Sequence, residues 1–263
     1  MNRPRPTRAV STEIPCSASS AGICFDIQAV ILNGGRGTRM RPYTENRPKG
    51  LVEVAGKSIF HWQAGWLAHY GVRDIVVSAG YHGEMLEVAA TEVMSELPDL
   101  KINVVRETTP LGRGGGLKHA AKALPFDEPW FGINGDVITD MNLSELAEQR
   151  NRSGTIGTLT LARYHSHLGV VEVDEVQGRV RGFTQSPQLP YWINAGIYCF
   201  RPDFMMELPD SGDHEDSTFP RLAHEGALGA FPLKGYWRGV DTVKDVLGAG
   251  EDIHLGRVTV PAP

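Results

Sequence analysis

Cysteine is scarce: the 263 residues contain three, Cys16, Cys24 and Cys199. They form neither an even disulfide framework nor a metal-ligand spacing, which excludes a cysteine-stapled scaffold and fits reduced thiols in a cytoplasmic protein. Positive charge is also in short supply. Lys and Arg number 26 against 31 Asp and Glu, a net charge of −5, so the chain lacks the basic face that a nucleic-acid partner needs. A local cluster of Arg can still hold a small anion. No apolar run approaches the ~18 residues of a membrane span. The Walker phosphate loop, Gly-x-x-x-x-Gly-Lys followed by Ser or Thr, does not occur. Residues 1–26, rich in Pro, Ser, Thr and Arg, lack the apolar centre of a signal peptide and read as a disordered extension or a start-site artefact.

What remains is an ordinary globular composition, 41% apolar and 22% charged, long enough for one large α/β domain or two small ones. The first half alternates apolar runs with helical periodicity. Strands are expected at Gln28–Leu32, Asp74–Ser78, Ile102–Arg106 and Trp130–Ile133, and helices at Ser58–His69, Gly83–Leu97, Gly115–Leu124 and Leu143–Asn151. This alternation implies parallel strands with right-handed crossovers, and ligands on such sheets bind beyond the carboxyl ends of the strands. The second half is richer in strands: Thr155–Ala162, Gly169–Val173, Arg179–Thr184 and Ile193–Phe200. Helical patterns return at Ser217–Glu225 and Thr242–Asp252. The later strands are expected to extend the same sheet and to form a lid over a substrate pocket. The expected layout is a single domain over 27–257 with a short tail at 258–263.

The densest signal follows the first strand. Gly34, Gly35 and Gly37 come directly after Ala29–Leu32, and Arg36, Arg39, Arg41 and Lys49 surround them. Glycines there let backbone N–H groups crowd around phosphate oxygens without a Cβ in the way. By themselves three glycines fit an ordinary strand–helix turn equally well. Asn134-Gly135-Asp136 ends another apolar strand at the same edge of the expected sheet. By itself Asp136 is equally a metal ligand, to which Mg²⁺ would add phosphates and water, or a turn residue capping the next helix.

The full string from Gly34 to Arg39, then Pro42 and Pro48-Lys49, resembles the signature of the sugar-1-phosphate nucleotidyltransferases. The resemblance continues through Leu51–Gly56, Asn134–Asp136, Trp192–Gly196 and Phe231–Asp245. It implies a Rossmann-like α/β fold with a mainly parallel sheet, and transfer of a nucleotidyl group from an NTP to a sugar 1-phosphate with release of pyrophosphate. It implies Mg²⁺ as cofactor, held by Asp136 and Asp241. Arg39 and Lys49 match the catalytic cations. Leu32, Asn33, Gly34, Gly35, Gly37, Thr38, Glu107, Pro110 and Gly112 match nucleotide positions, while Asn134, Gly135, Gly169, Asn194 and Gly196 match the sugar pocket. A homodimer is common in this family, but no stretch of the sequence identifies an interface.

The departures are specific. Many members carry the second metal Asp two residues after a Tyr-Trp pair, where this chain has Gly239; Asp241 follows two residues later. Trp237-x-x-x-Asp241-Thr242-x-x-Asp245 instead resembles the glucose-1-phosphate cytidylyltransferases. The alternative for Asp241 is a cap on the helix starting near Thr242. A Glu-Lys-Pro segment with a phosphate-binding Lys is replaced by Thr184-Gln185-Ser186-Pro187, which leaves Lys49, Arg113 or Arg163 to carry that charge. Arg113 reaches a phosphate or points to solvent, and His165 and His167 read as plain loop residues. A carboxylate at Glu107 on the base edge favours guanine, which offers two kinds of donor, so GTP leads. The guanylyltransferases of mannose or heptose phosphates are the best-matching subgroup. Cytidylyl, uridylyl or thymidylyl transfer remains open, as does a non-catalytic subunit that binds nucleotide sugar. A glycosyltransferase on a related fold would show Asp-x-Asp, and Gly135-Asp136-Val137 is not that.

Overall fold

The computed structural model describes residues 27–259 except 126 and 167. The readings made for residues 1–26, for His167 and for most of the tail lie outside the described residues. The strands, in chain order, begin with β1 (Gln28–Asn33), β2 (Glu53–Val54), β3 (Lys57–Ser58), β4 (Asp74–Ala79), β5 (Lys101–Arg106), β6 (Trp130–Asn134) and β7 (Val137–Thr139). They continue with β8 (Gly157–His165), β9 (Val170–Asp174), β10 (Arg179–Thr184), β11 (Gln188–Phe200), β12 (Leu228–Pro232) and β13 (Trp237–Gly239). The helices are α1 (Ile59–His69), α2 (Gly83–Glu96), α3 (Gly112–Ala121), α4 (Leu143–Ser153), α5 (Phe204–Glu207), α6 (Thr218–His224) and α7 (Val243–His254).

Seven strands form one sheet in the order β12-β8-β11-β6-β1-β4-β5. The four strands of the first half, β6, β1, β4 and β5, run parallel, as the alternating pattern implies. β1 is central and buried on both faces, so its sequence is a continuous apolar run between Gln28 and Asn33. Of the second-half strands, β11 extends the sheet by antiparallel pairing on β6, and β8 by antiparallel pairing on β11. β12, which carries no distinct sequence signal, adds a parallel edge on β8. β9 and β10 do not join the sheet but form a separate antiparallel hairpin.

Helices cover both faces. α1, capped by the Ser58 hydroxyl accepting from the His61 N–H at 3.1 Å, packs Phe60, Ala64 and Leu67 against Ala29, Ile31 and Val77. α3 and α6 close the other face around Val30, Val76, Tyr198 and Phe200. A third cluster, Met40, Val52, Ile59, Val240 and Val246, fixes the segments after β1 and before α7 to each other. β1 and β6 therefore end at the same edge, and the turns that follow them are neighbours.

Candidate active site

A cavity of about 600 Å³ opens at that edge. Its wall takes in Leu32 to Gly35, Gly37 to Arg39, Lys49, Glu107, Pro110, Gly112, Arg113, Asn134 to Asp136, and Asp241. Of these, Arg113 is the one for which the sequence left the choice between a phosphate and solvent open; the others are in the residue set that the resemblance implies. The expected Gly169, Asn194 and Gly196 are not on this wall.

The glycine turn is held by close packing. Gly37 has a left-handed backbone, φ 56°, and a Cβ on it would stand 3.0 Å from the Thr44 side chain. The Thr44 hydroxyl donates to the Gly37 carbonyl at 2.7 Å. A 3₁₀ turn over Thr38–Met40 then lifts the Arg39 side chain, 73% exposed, over the cavity rim. Lys49 starts a second 3₁₀ turn, Lys49–Leu51, and its side chain is only 14% exposed.

Asp136 sits in the tight turn between β6 and β7. The Gly135 N–H donates to the Leu32 carbonyl at 2.9 Å, which ties this turn to the end of β1. β13 pairs antiparallel with β7, with Gly239 opposite Val137. The Val240 N–H then donates to the Asp136 carbonyl at 2.7 Å. The ribbon thus delivers Asp241, two residues past its end, to Asp136. Gly239 lies within the ribbon, so the carboxylate two residues on is the one that reaches the cavity.

The two carboxylates converge on one ammonium. Lys49 Nζ lies 2.6 Å from Asp136 Oδ2 and 2.5 Å from Asp241 Oδ1, and Arg39 Nη2 lies 2.8 Å from the same Asp241 oxygen. Two carboxylates this close repel unless a cation stands between them. Among the described residues no group of three or more His, Cys, Asp or Glu is placed to hold a metal. Two carboxylates that share one cation, here the Lys49 ammonium, do fit Mg²⁺, which takes one or two carboxylates and completes its shell with phosphates and water.

Glu107 follows β5, and its carboxylate is wedged between the glycine turn and α3. Oε1 accepts from the Ser78 hydroxyl at 3.0 Å and Oε2 from the Leu111 N–H at 3.1 Å. It therefore orients the Pro110–Gly112 turn as well as lining the cavity. α3 begins at Gly112, three residues earlier than the periodicity indicates. The reason is tertiary: the loop 209–214 lies directly on its backbone, with the Gly212 carbonyl accepting from Gly114 N–H at 2.9 Å and Gly115 N–H at 3.3 Å. A Cβ on Gly114 would stand 2.7 Å from Pro209, and one on Gly115 2.7 Å from the Asp210 carbonyl. A Cβ on Gly112 would stand 2.6 Å from the Gly212 carbonyl, so Gly112, Gly114 and Gly115 together form the seat for this loop.

The loop brings acids to Arg113, whose Nε is 2.6 Å from Asp213 Oδ2 and Nη1 2.9 Å from Glu215 Oε1. Burial raises the Glu215 carboxyl above the usual range. Sequence reading passed over Asp213 and Glu215 because an acidic stretch in a loop looks like a solvated face. Glu215 Oε1 also accepts from Asn194 Nδ2 at 3.0 Å, and the second Asn194 amide hydrogen goes to the Tyr198 hydroxyl at 2.8 Å. Gly196, φ +71°, lies against Asn134: a Cβ there would be 2.6 Å from Asn134 Nδ2. Gly169 lies under the Phe183 ring of the β9–β10 hairpin. Arg163 is not on the wall; its guanidinium stacks 3.6 Å from the Trp192 ring centroid.

A sequence model of the nucleotidyl transferase family matches residues 28–255, nearly the whole described region. The chain belongs to that family. The mannose-1-phosphate guanylyltransferase catalytic subunit beta of Danio rerio is 35% identical over 245 residues, covering 90% of this chain and 67% of its own length. A mannose-1-phosphate guanyltransferase of Aspergillus oryzae is 37% identical over 238 residues, 87% of this chain and 64% of the relative. The nucleotidyltransferase chain therefore spans about two thirds of these relatives' length. Its fold matches the crystal structure of HddC from Yersinia pseudotuberculosis complexed with GMP-PN, with TM-score 0.67 and 24% identity over 86% of this chain and 99% of that one.

Proposed function

We propose that this nucleotidyltransferase transfers a guanylyl group from GTP to mannose 1-phosphate or a closely related sugar 1-phosphate, with Mg²⁺ bound by Asp136 and Asp241, in the cytoplasm. The observation that carries the reading is the linked set Arg39–Asp241–Lys49–Asp136 in the wall of one cavity. The guanylyltransferase relatives supply the choice of base and sugar. The acceptor capacity of Glu107 agrees with guanine.

In this reaction a phosphate oxygen of the sugar 1-phosphate attacks the α-phosphorus, the bond from that phosphorus to the β-bridging oxygen breaks, and pyrophosphate leaves. When bound, the metal supplies charge stabilisation across the phosphates. The rest falls to the chain. Lys49, released from the carboxylates, turns its ammonium to the α-phosphate and the incoming phosphate, lowering their mutual repulsion. Arg39, at the rim, presents a planar fork to the β- and γ-phosphates and stabilises the departing pyrophosphate. The glycine turn brings backbone N–H groups within reach of the nucleotide without side-chain obstruction.

Pyrophosphate release measured for GTP, ATP, CTP, UTP and dTTP against mannose, glucose and heptose 1-phosphates tests the proposal. The expected result is highest kcat/KM for GTP with mannose 1-phosphate and none in excess chelator. A clear preference for CTP would favour the cytidylyltransferase-like reading raised by the Trp237–Asp245 motif. No product from any pair, with nucleotide sugar still bound, would leave a non-catalytic binding subunit.

A further inference from the structure

A second charged cluster reaches the same cavity, built from residues the phosphate chemistry does not use. Arg113, on the cavity wall and half exposed, is gripped through Nε by Asp213 and through Nη1 by Glu215. Asp213 is itself oriented, since its Oδ1 accepts from the Glu215 N–H at 2.9 Å. Glu215 Oε1 is shared between Arg113 and Asn194. Nε and Nη1 are each engaged by a carboxylate, which leaves the two N–H groups of Nη2 and the second N–H of Nη1 to offer. Gly112, Gly114 and Gly115, which seat the loop 209–214, flank Arg113 in the chain.

Charge decides what such a group reads. Two carboxylates outweigh one guanidinium, so the cluster carries a net negative charge and does not attract a phosphate. A hydroxyl, both donor and acceptor, suits a fixed guanidinium flanked by carboxylate oxygens. Resting on the reading of the acceptor as a sugar 1-phosphate, we infer that Arg113 is a specificity residue that donates to a hydroxyl of the acceptor sugar, with Asp213 and Glu215 as its positioning residues.

Steady-state kinetics of wild type, Arg113→Ala and Arg113→Lys, with mannose 1-phosphate and each of its monodeoxy analogues, test the inference. Arg113→Ala should raise the KM for mannose 1-phosphate roughly ten- to a hundredfold, as expected for losing a hydrogen bond from a charged donor. The KM for GTP should stay within a factor of about two. One deoxy analogue should be a poor acceptor for wild type yet equal to mannose 1-phosphate for the Ala variant, and Lys, which lacks the fork, should not restore the difference. Equal losses for the parent and every analogue would mean a phosphate contact, and a change confined to GTP a nucleotide contact; either overturns the inference, as does unchanged kinetics. Product formation by wild type in the same assay tests the underlying reading separately. Calorimetric titration of the sugar phosphates into wild type and Arg113→Ala reads the contact without turnover, and equal binding of all analogues to wild type would likewise sink it.

Discussion

At the scale of single residues, neighbours that look alike in sequence divide their labour. Asp241 and Asp245 flank the start of α7, but the cap is Thr242, whose hydroxyl accepts from the Asp245 N–H, while Asp245 Oδ2 accepts from the Thr242 N–H at 2.9 Å. This capping box frees the Asp241 carboxylate for Lys49 and Arg39. Asp241→Ala should therefore cut turnover by at least ~10²-fold with little change in stability, whereas Asp245→Ala should cost about 1 kcal/mol of stability and leave turnover within a few-fold. Steady-state rates beside urea denaturation separate the two. His214 is different again. It is fully buried against the Tyr198 and Phe219 rings, with neither ring nitrogen bonded, and burial pulls its pKa down to about 4. The unfolded chain, with a pKa near ~6.5, binds the proton first as pH falls. Stability from the neutral ring is thus complete above pH ~6.5 and declines toward pH ~4, by up to roughly 3 kcal/mol. His214→Phe should flatten that stretch of a stability–pH curve measured by denaturant unfolding. A slope unchanged in the variant would assign the acid sensitivity to other groups.

At the scale of elements, α3 shows propensity yielding to packing. Glycine in a helix interior costs ~1 kcal/mol relative to alanine, so Gly114→Ala should stabilise an isolated helix. Here the added methyl would meet Pro209 and the His214 backbone at 2.7 and 2.8 Å, and overpacking of that kind costs about 1–3 kcal/mol. The expected outcome is net destabilisation in denaturant and a loosened loop 209–217. Gly250→Ala in α7 is the matched control, because a Cβ there approaches nothing closer than 3.8 Å. It should stabilise, or at worst be neutral. The β7–β13 ribbon makes the same point about position: three pairs of residues suffice to bring Asp241 to Asp136.

At the scale of the whole molecule, three core clusters hold the turns after β1 and β6 at one edge of the sheet. The site's two anions and two cations are already paired there. Ligands that engage these groups only in the folded chain should raise its melting temperature. With Mg²⁺ and GTP at ~100 times their dissociation constant, binding adds ~2.7 kcal/mol, or a rise of about 5 °C or more for a fold of this size. Scanning calorimetry should show that chelator removes most of this increment in wild type, and that Asp136→Asn shows little metal-dependent increment to lose.

The sequence by itself determined the parallel half of the sheet and the glycine turn. Both are local: a buried central strand must be continuously apolar, and a turn that admits phosphates must lack Cβ atoms. Through its resemblance to the nucleotidyltransferase signature it also pointed to Lys49, Asp136 and Asp241, which lie together in the fold. Tertiary structure alone decided that β9 and β10 leave the sheet, since alternation specifies a strand but not its partner. It alone supplied Asp213 and Glu215 to Arg113, through a loop whose contacts lie some hundred residues away in the chain. It alone gave the capping role to Thr242 and Asp245, a choice between adjacent polar residues that rests on backbone geometry and not on residue type.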